Sequence, residues 1–211
     1  MNGIDLPRGR FTDALVAVTF VVSVLQLVPT VAEAVTPFGF VPGEFLAGAW
    51  RDFPLRVWPS PLVSQFLLPG VGVVLFNTVF VLIVGRFVER SIGAVGVGVL
   101  FVAGAYAGAL ARLLVTPGSP LVTAGANAGL FALIGAYLML YGVPRAVPVP
   151  RTQGPLVQIA ALAALWVLVE ATFMLATGSF EFSVSVLDPL GGLIAGAALA
   201  RSLLRWRYRT A

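Results

Sequence analysis

The sequence predicts an all-α polytopic membrane protein of six transmembrane helices with an interfacial first loop, and three observations carry that prediction. Apolar residues make up 59% of the 211 and charged residues only 10%, against roughly 45–50% and about 25% in a soluble domain. Mean hydropathy is +0.98. The apolar residues fall into six runs, each close to the ~20 residues a helix needs to cross a ~30 Å hydrocarbon core. Only Glu170 and Arg201 place a charge inside a run.

Taken in order within one domain, 1–211, the first run is 14–32. It follows Arg8 and Arg10 and ends at Ala32-Glu33-Ala34, a small-x-small pattern like a signal-peptide cleavage site. The run is longer than a signal h-region, so it is read as a retained span. Residues 33–65 hold Trp50, Arg51, Trp58 and several Phe without a spanning apolar run, which describes an interfacial segment with Trp near the headgroups. The second and third spans, 66–85 and 94–111, are separated by Glu89, Arg90 and Gly93. Pro117-Gly118-Ser119-Pro120 precedes the fourth, 121–143, and a segment with four prolines and two Arg precedes the fifth, 156–176. The sixth, 189–204, opens with Asp188-Pro189, which reads as an N-cap followed by a first-turn proline.

All thirteen basic residues are Arg, for a net charge of +4. Assigned to alternate sides, ten share a face with both termini, and Arg51, Arg56 and Arg112 lie opposite. The positive-inside rule then puts both termini in the cytoplasm, as in a bacterial inner membrane, with 33–65 outside. The basic residues lie between apolar runs rather than beside stacking aromatics on a polar face, so nucleic acid is not a partner.

The chain has no His and no Cys. That removes imidazole and thiolate metal sites, Cys nucleophiles and every Ser-His or Cys-His pair, and no cofactor or metal is implied. The absence of Lys removes a Ser-Lys dyad. Ser119, Ser179, Ser183 and Ser185 fall near outer ends of spans, and Glu170 or Asp188 is the available carboxylate base, yet no motif joins them. Glu170, about 9 Å inside the fifth span, must face a wet cavity, pair with an Arg such as Arg112, or be protonated. Small residues at i, i+4 mark close helix approaches: Gly104 and Gly108, Gly125 and Gly129, Gly192 and Gly196.

Three segments resemble the rhomboid intramembrane serine proteases. The family's second span follows F-L-H-x-x-W-x-H-x-x-x-N and continues to G-x-x-x-E; here Phe66-Leu67-Leu68 leads through Val73 to Asn77, then Gly85 and Glu89. Asn77 stands at the family's oxyanion position, whereas Leu68 and Val73 stand where it has His. The fourth-span pattern G-A-S-G-A-I-F-G-L-L-G-A becomes Gly125-Ala126-Asn127-Ala128-Gly129-Leu130-Phe131-Ala132-Leu133-Ile134-Gly135-Ala136, with Asn127 at the nucleophile's place. The sixth-span A-H-x-G-G-x-x-A-G becomes Asp188-Pro189-Leu190-Gly191-Gly192-Leu193-Ile194-Ala195-Gly196, with Pro189 at the base's place. Val41-Pro42-Gly43-Glu44-Phe45 is similar to the first loop of many bacterial members.

The resemblance implies a rhomboid-like bundle in a lipid bilayer, and the substitutions imply lost chemistry. An amide is not an activated hydroxyl, and proline has no side-chain base. By similarity to inactive relatives such as iRhoms and derlins, the chain is expected to be a pseudoprotease that binds or escorts transmembrane segments of other proteins through an opening between the second and fifth spans. Asn77 and Asn127 are then expected to make interhelical hydrogen bonds. Alternatives from other classes are a weak or unorthodox intramembrane serine endopeptidase, a small-solute carrier or channel, and a structural subunit of a membrane complex. The oligomeric state is open.

Overall fold

The computed structural model describes residues 7–68, 71–125, 127–142, 154–177 and 182–209, and no strand occurs among them. The helices are α1 (Arg10–Leu25), five short pieces α2 (Pro29–Val35), α3 (Pro42–Leu46), α4 (Ala49–Asp52), α5 (Pro54–Val57) and α6 (Ser60–Val63), then α7 (Val71–Val115), α8 (Asn127–Tyr141), α9 (Pro155–Thr177) and α10 (Phe182–Arg209). Among the described residues two helices, Val74–Val115 and Val186–Arg209, are long and apolar enough to cross a membrane. A third is added if the bent pair at the N-terminal end is one span.

Helix α7 changes direction at Gly93, whose φ of 79° and ψ of 171° are outside the helical region. Positive φ is cheap only for glycine. The two halves, α7a (71–92) and α7b (94–115), are each roughly 33 Å long, about the thickness of a bilayer's hydrocarbon core.

Contacts along α8 fix the relative directions. Asn77 meets Asn127 at one end of the α7a–α8 pair, and the Tyr141 hydroxyl donates to the Phe87 carbonyl at the other (3.0 Å), so these helices run parallel. Along α7b the order reverses: Gly108 abuts Ala128 and Gly104 abuts Ala132. Gly192 and Gly196 of α10 face Ala128 and Ala132 in the same order, so α10 is parallel to α8. Helix α9 packs on α8 and α10. Leu100, Leu130, Leu133, Val88 and Val97 are fully buried at the centre.

The end of α7a anchors α1. The Glu89 carboxylate accepts from the Thr12 backbone N–H (2.8 Å), the Thr12 hydroxyl (2.7 Å) and the Phe11 N–H (3.2 Å), so it satisfies amides that the first turn of α1 cannot pair internally. One turn earlier, Gly85 leaves room for the Thr12 side chain, which a Cβ there would overlap. Gly85 and Glu89 thus act together to dock α1, and Arg86 adds an ion pair to Asp13 at 2.7 Å.

Among the helix ends that differ from the span limits expected from the sequence, four have a visible cause. The first span does not run to 32: the segments Arg10–Leu25 and Pro29–Leu46 meet at 115°. Pro29 has no N–H to continue the ladder, and Gln26, 5% exposed, is drawn into the fold instead. Its Nε2 donates to the Phe66 carbonyl (2.8 Å) and its Oε1 accepts from the Leu68 N–H (3.0 Å). The second helix starts at Val71 rather than 66, after a single 3-10 turn at Ser64–Phe66.

The fourth helix starts at Asn127 rather than 121. Residues 121–125 are non-helical because Thr123 N–H donates to Phe40 O (2.9 Å), Gly125 N–H donates to Ser64 O (2.9 Å), and Gly125 takes a φ of +97°. Helix α10 starts at Phe182, so Pro189 lies inside it and Asp188 is not its N-cap. The proline forfeits one backbone bond, a loss that transmembrane helices tolerate where neighbouring helices pack tightly.

That packing gives a test. A Cβ at Gly192 or Gly196 would collide with the Ala128 or Ala132 carbonyl, backbone atoms that cannot rotate away. Gly192→Val and Gly196→Val should each destabilise the detergent-extracted protein by about 3 kcal/mol. Gly72→Ala, where a Cβ meets nothing within 4 Å, should be neutral or stabilising by up to about 1 kcal/mol. Thermal unfolding of the three variants reads the contrast, and similar midpoints for all of them would refute the close approach.

Candidate functional site

The first turn of α8 gathers polar groups from three parts of the chain. Asn77 of α7a, 3% exposed, donates from Nδ2 to Oδ1 of Asn127 at 3.0 Å. Among the described residues nothing donates to Asn77 Oδ1. Two residues on, the Gly129 N–H, one of the amides that a helix start leaves unpaired, donates to Oε1 of Gln65 at 3.0 Å. Gln65 is 2% exposed and is held in turn by the Pro61 carbonyl (3.3 Å). Its neighbour Ser64 takes the Phe40 N–H on its hydroxyl (2.7 Å).

Helix α10 closes the site. Gly192 against Ala128 and the parallel direction of the two helices put Pro189, one turn earlier, level with the residues that precede Asn127. Pro189 is fully buried. Gly191 packs on the Ala107 carbonyl of α7b, and a Cβ at Gly108 would touch the backbone of Asp188.

Asp188 and Arg112 form the charged edge of this region. Arg112, on the last turn of α7b, is fully buried; it donates to the Leu121 carbonyl at 2.9 Å and to the Thr123 hydroxyl. Asp188 is 4% exposed and lies within electrostatic reach of Arg112, though the pair makes no direct ion pair. Asp188 Oδ1 and Arg112 Nε have no partner among the described residues.

A family model described as Rhomboid domain matches residues 56–206. The chain belongs to the rhomboid family. No curated protein and no solved structure matches it. The matched stretch of the rhomboid domain runs from α5 to the last turns of α10, and so holds Gln65, Asn77, Arg112, Asn127, Asp188 and Pro189.

Within this rhomboid domain, Asn77 and Asn127 make the interhelical hydrogen bond expected of them. Gly125 shapes the backbone before α8, while Gly129 lies so close to the Phe101 ring that a Cβ would enter it. The Leu68 N–H is bound by Gln26. The side chains of Val73 and Glu170 lie outside the described residues, as do those of Ser179, Ser183 and Ser185.

Arg112, assigned by sequence to the side opposite the termini and offered as a possible partner of Glu170, is a fully buried residue whose guanidinium holds the 121–123 segment. Gln65 and Gln26 were not singled out by sequence, and Arg112 was named only as a possible partner of Glu170. For Arg112 the signal was an arginine directly at the end of an apolar run; for Gln26 it was an uncharged amide between Leu25 and Leu27, and for Gln65 an uncharged amide directly before the run that opens at Phe66.

The buried pair can be tested by a double-mutant cycle. Arg112→Met or Asp188→Leu alone leaves an opposite charge buried without its counterpart and should cost about 3–5 kcal/mol. Together they should cost at least about 1 kcal/mol less than the sum. Chemical denaturation in mild detergent measures the cycle, and strict additivity would mean that the two charges do not sense one another.

Proposed function

We propose that this rhomboid-family protein is a pseudoprotease: a six-span, multi-pass protein with both termini in the cytoplasm, of a bacterial inner membrane, that binds transmembrane segments of other proteins without cutting them. The observation that carries the reading is the Asn77–Asn127 hydrogen bond. By resemblance these positions belong to the oxyanion donor and the nucleophile. Peptide hydrolysis needs an oxygen nucleophile, a base to take its proton and free donors for the oxyanion. Here the nucleophile position holds an amide acceptor, the donor is spent on that amide, and the base position is a proline.

Three further features support the proposal. The Gly129 N–H at the start of α8 is occupied by Gln65. The alternation of direction among α1, α7a, α7b and α8 is what successive membrane crossings require. On α7a, Val71, Leu75, Val79 and Ile83 repeat at i, i+4 and are 40–55% exposed, giving one apolar stripe along the helix that bears Asn77. A client helix lying against that stripe would meet the wall of the polar site.

Two experiments test the reading. A photoreactive residue at Leu75 in native membranes should capture intact membrane proteins, and appearance of a shortened client that depends on this chain would overturn the proposal in favour of an endopeptidase. The second restores the chemistry: Asn127→Ser, Ala128→Gly and Pro189→His together should confer weak fluorophosphonate labelling that the unmodified protein lacks. Each single change should do nothing, because nucleophile and base act as a unit. Labelling of the unmodified chain at any Ser would likewise return it to the hydrolases.

A further inference from the structure

Arg112 of α7b and Asp188 of α10 are brought together by the way their helices cross. A Cβ at Gly108 would lie 3.0 Å from the Asp188 carbonyl oxygen and 3.2 Å from its Cα, so the two helices touch at that point. Arg112 stands one turn, about 6 Å, beyond Gly108 on α7b. Helical side chains lean toward the start of their own helix. Because α7b and α10 run in opposite directions, Arg112 leans back toward the level of Gly108 while Asp188 leans toward the level of Arg112, and each charge acts on the other.

The two side chains nevertheless form no ion pair. Two of the three guanidinium nitrogens are committed elsewhere, one to the Leu121 carbonyl at 2.9 Å and one to the Thr123 hydroxyl. The third, Nε, has no partner among the described residues, and neither has Asp188 Oδ1, although both atoms are buried. A buried donor or acceptor left unpaired is costly, the more so in a low-dielectric interior. Here one of each occurs on neighbouring side chains of opposite charge.

We propose that Arg112 Nε and Asp188 Oδ1 bind a single ordered water molecule between them, which accepts from the guanidinium N–H and donates to the carboxylate. The chemistry selects that ligand. The bridging molecule must accept on one side and donate on the other, whereas an anion would satisfy Arg112 and confront Asp188, and a cation the reverse. Arg112 is fully buried and Asp188 4% exposed, and the contact of Gly108 with the Asp188 backbone closes the helices on one side, so a larger molecule has no room. Two hydrogen bonds of about 2.9 Å meeting at one oxygen bridge roughly 5 Å, too far for an ion pair and close enough for mutual attraction. The water thereby ties α10, through Arg112, to the 121–123 segment that precedes α8. It does so whether or not the chain cuts peptides.

A high-resolution crystal structure of the full chain should show a density peak within about 2.7–3.2 Å of both atoms. In detergent solution, infrared difference spectra between ordinary and heavy-oxygen water should contain an isotope-shifted O–H band from this molecule. Asp188→Asn should keep the band, because the amide oxygen still accepts. Asp188→Glu should lose it, because the longer side chain reaches the guanidinium and expels the water. The crystal structure of the unmodified chain decides by itself if either variant fails to fold. A direct Arg112–Asp188 ion pair, a dry contact between the two, or a protein side chain seated between them would overturn the proposal. A band that survives Asp188→Glu unchanged would do the same.

Discussion

At the centre of this protein α8 lies so close to α10 and α7b that the carbonyls of Ala128 and Ala132 rest on Gly192 and Gly196, and Ala128 also abuts Gly104 and Gly108. In lipid there is no hydrophobic gain from bringing apolar helices together, so association relies on van der Waals contact and buried hydrogen bonds, and both strengthen as backbones approach. The remaining architecture follows from that approach. It holds α10 against the opening turn of α8, it brings the backbone of Asp188 onto Gly108, and it forces the ring of Phe101 against Gly129. Bulk at any of these glycines would separate the helices that carry the polar site.

Polar side chains serve this scaffold at its edges, where helices start and stop and backbone groups would otherwise lack partners. Glu89 caps α1, Gln65 caps α8, Gln26 ties the turn after α1 to the segment before α7, and Arg112 holds the non-helical residues 121–123. Each answers the same requirement, that a backbone N–H or C=O away from water be paired. The Asn77–Asn127 bond differs from this set in joining two side chains, at positions that by resemblance belong to the oxyanion donor and the nucleophile. On the proposed reading, chemistry has been exchanged for one more structural tie.

Legibility varied with the length scale of the cause. Gly85 and Glu89 could be matched to a family motif by spacing, but what they do is visible only when Thr12, more than seventy residues earlier, is placed against them. Asn77 and Asn127 were expected to bond to neighbouring helices, and they bond to each other. The reading of Asp188-Pro189 as a helix start failed because local propensity favours a cap there, whereas packing of Gly191 on Ala107 carries the helix straight through the proline. The interior role of Arg112 was not legible for a related reason: it depends on Thr123 and the Leu121 carbonyl folding back over the guanidinium.

The sequence by itself determined the environment, the helical class and the family, because each rests on quantities that add along the chain: apolar content, the near absence of charge within the runs, and small residues at fixed spacing. It also determined that no imidazole or thiol chemistry is available. Tertiary structure decided where helices begin, which amide caps which helix, that α7 reverses at Gly93, and that Arg112 is interior. Those outcomes depend on pairings between residues distant in sequence, and the free energy of a buried hydrogen bond or a backbone contact exists only once both partners are in place.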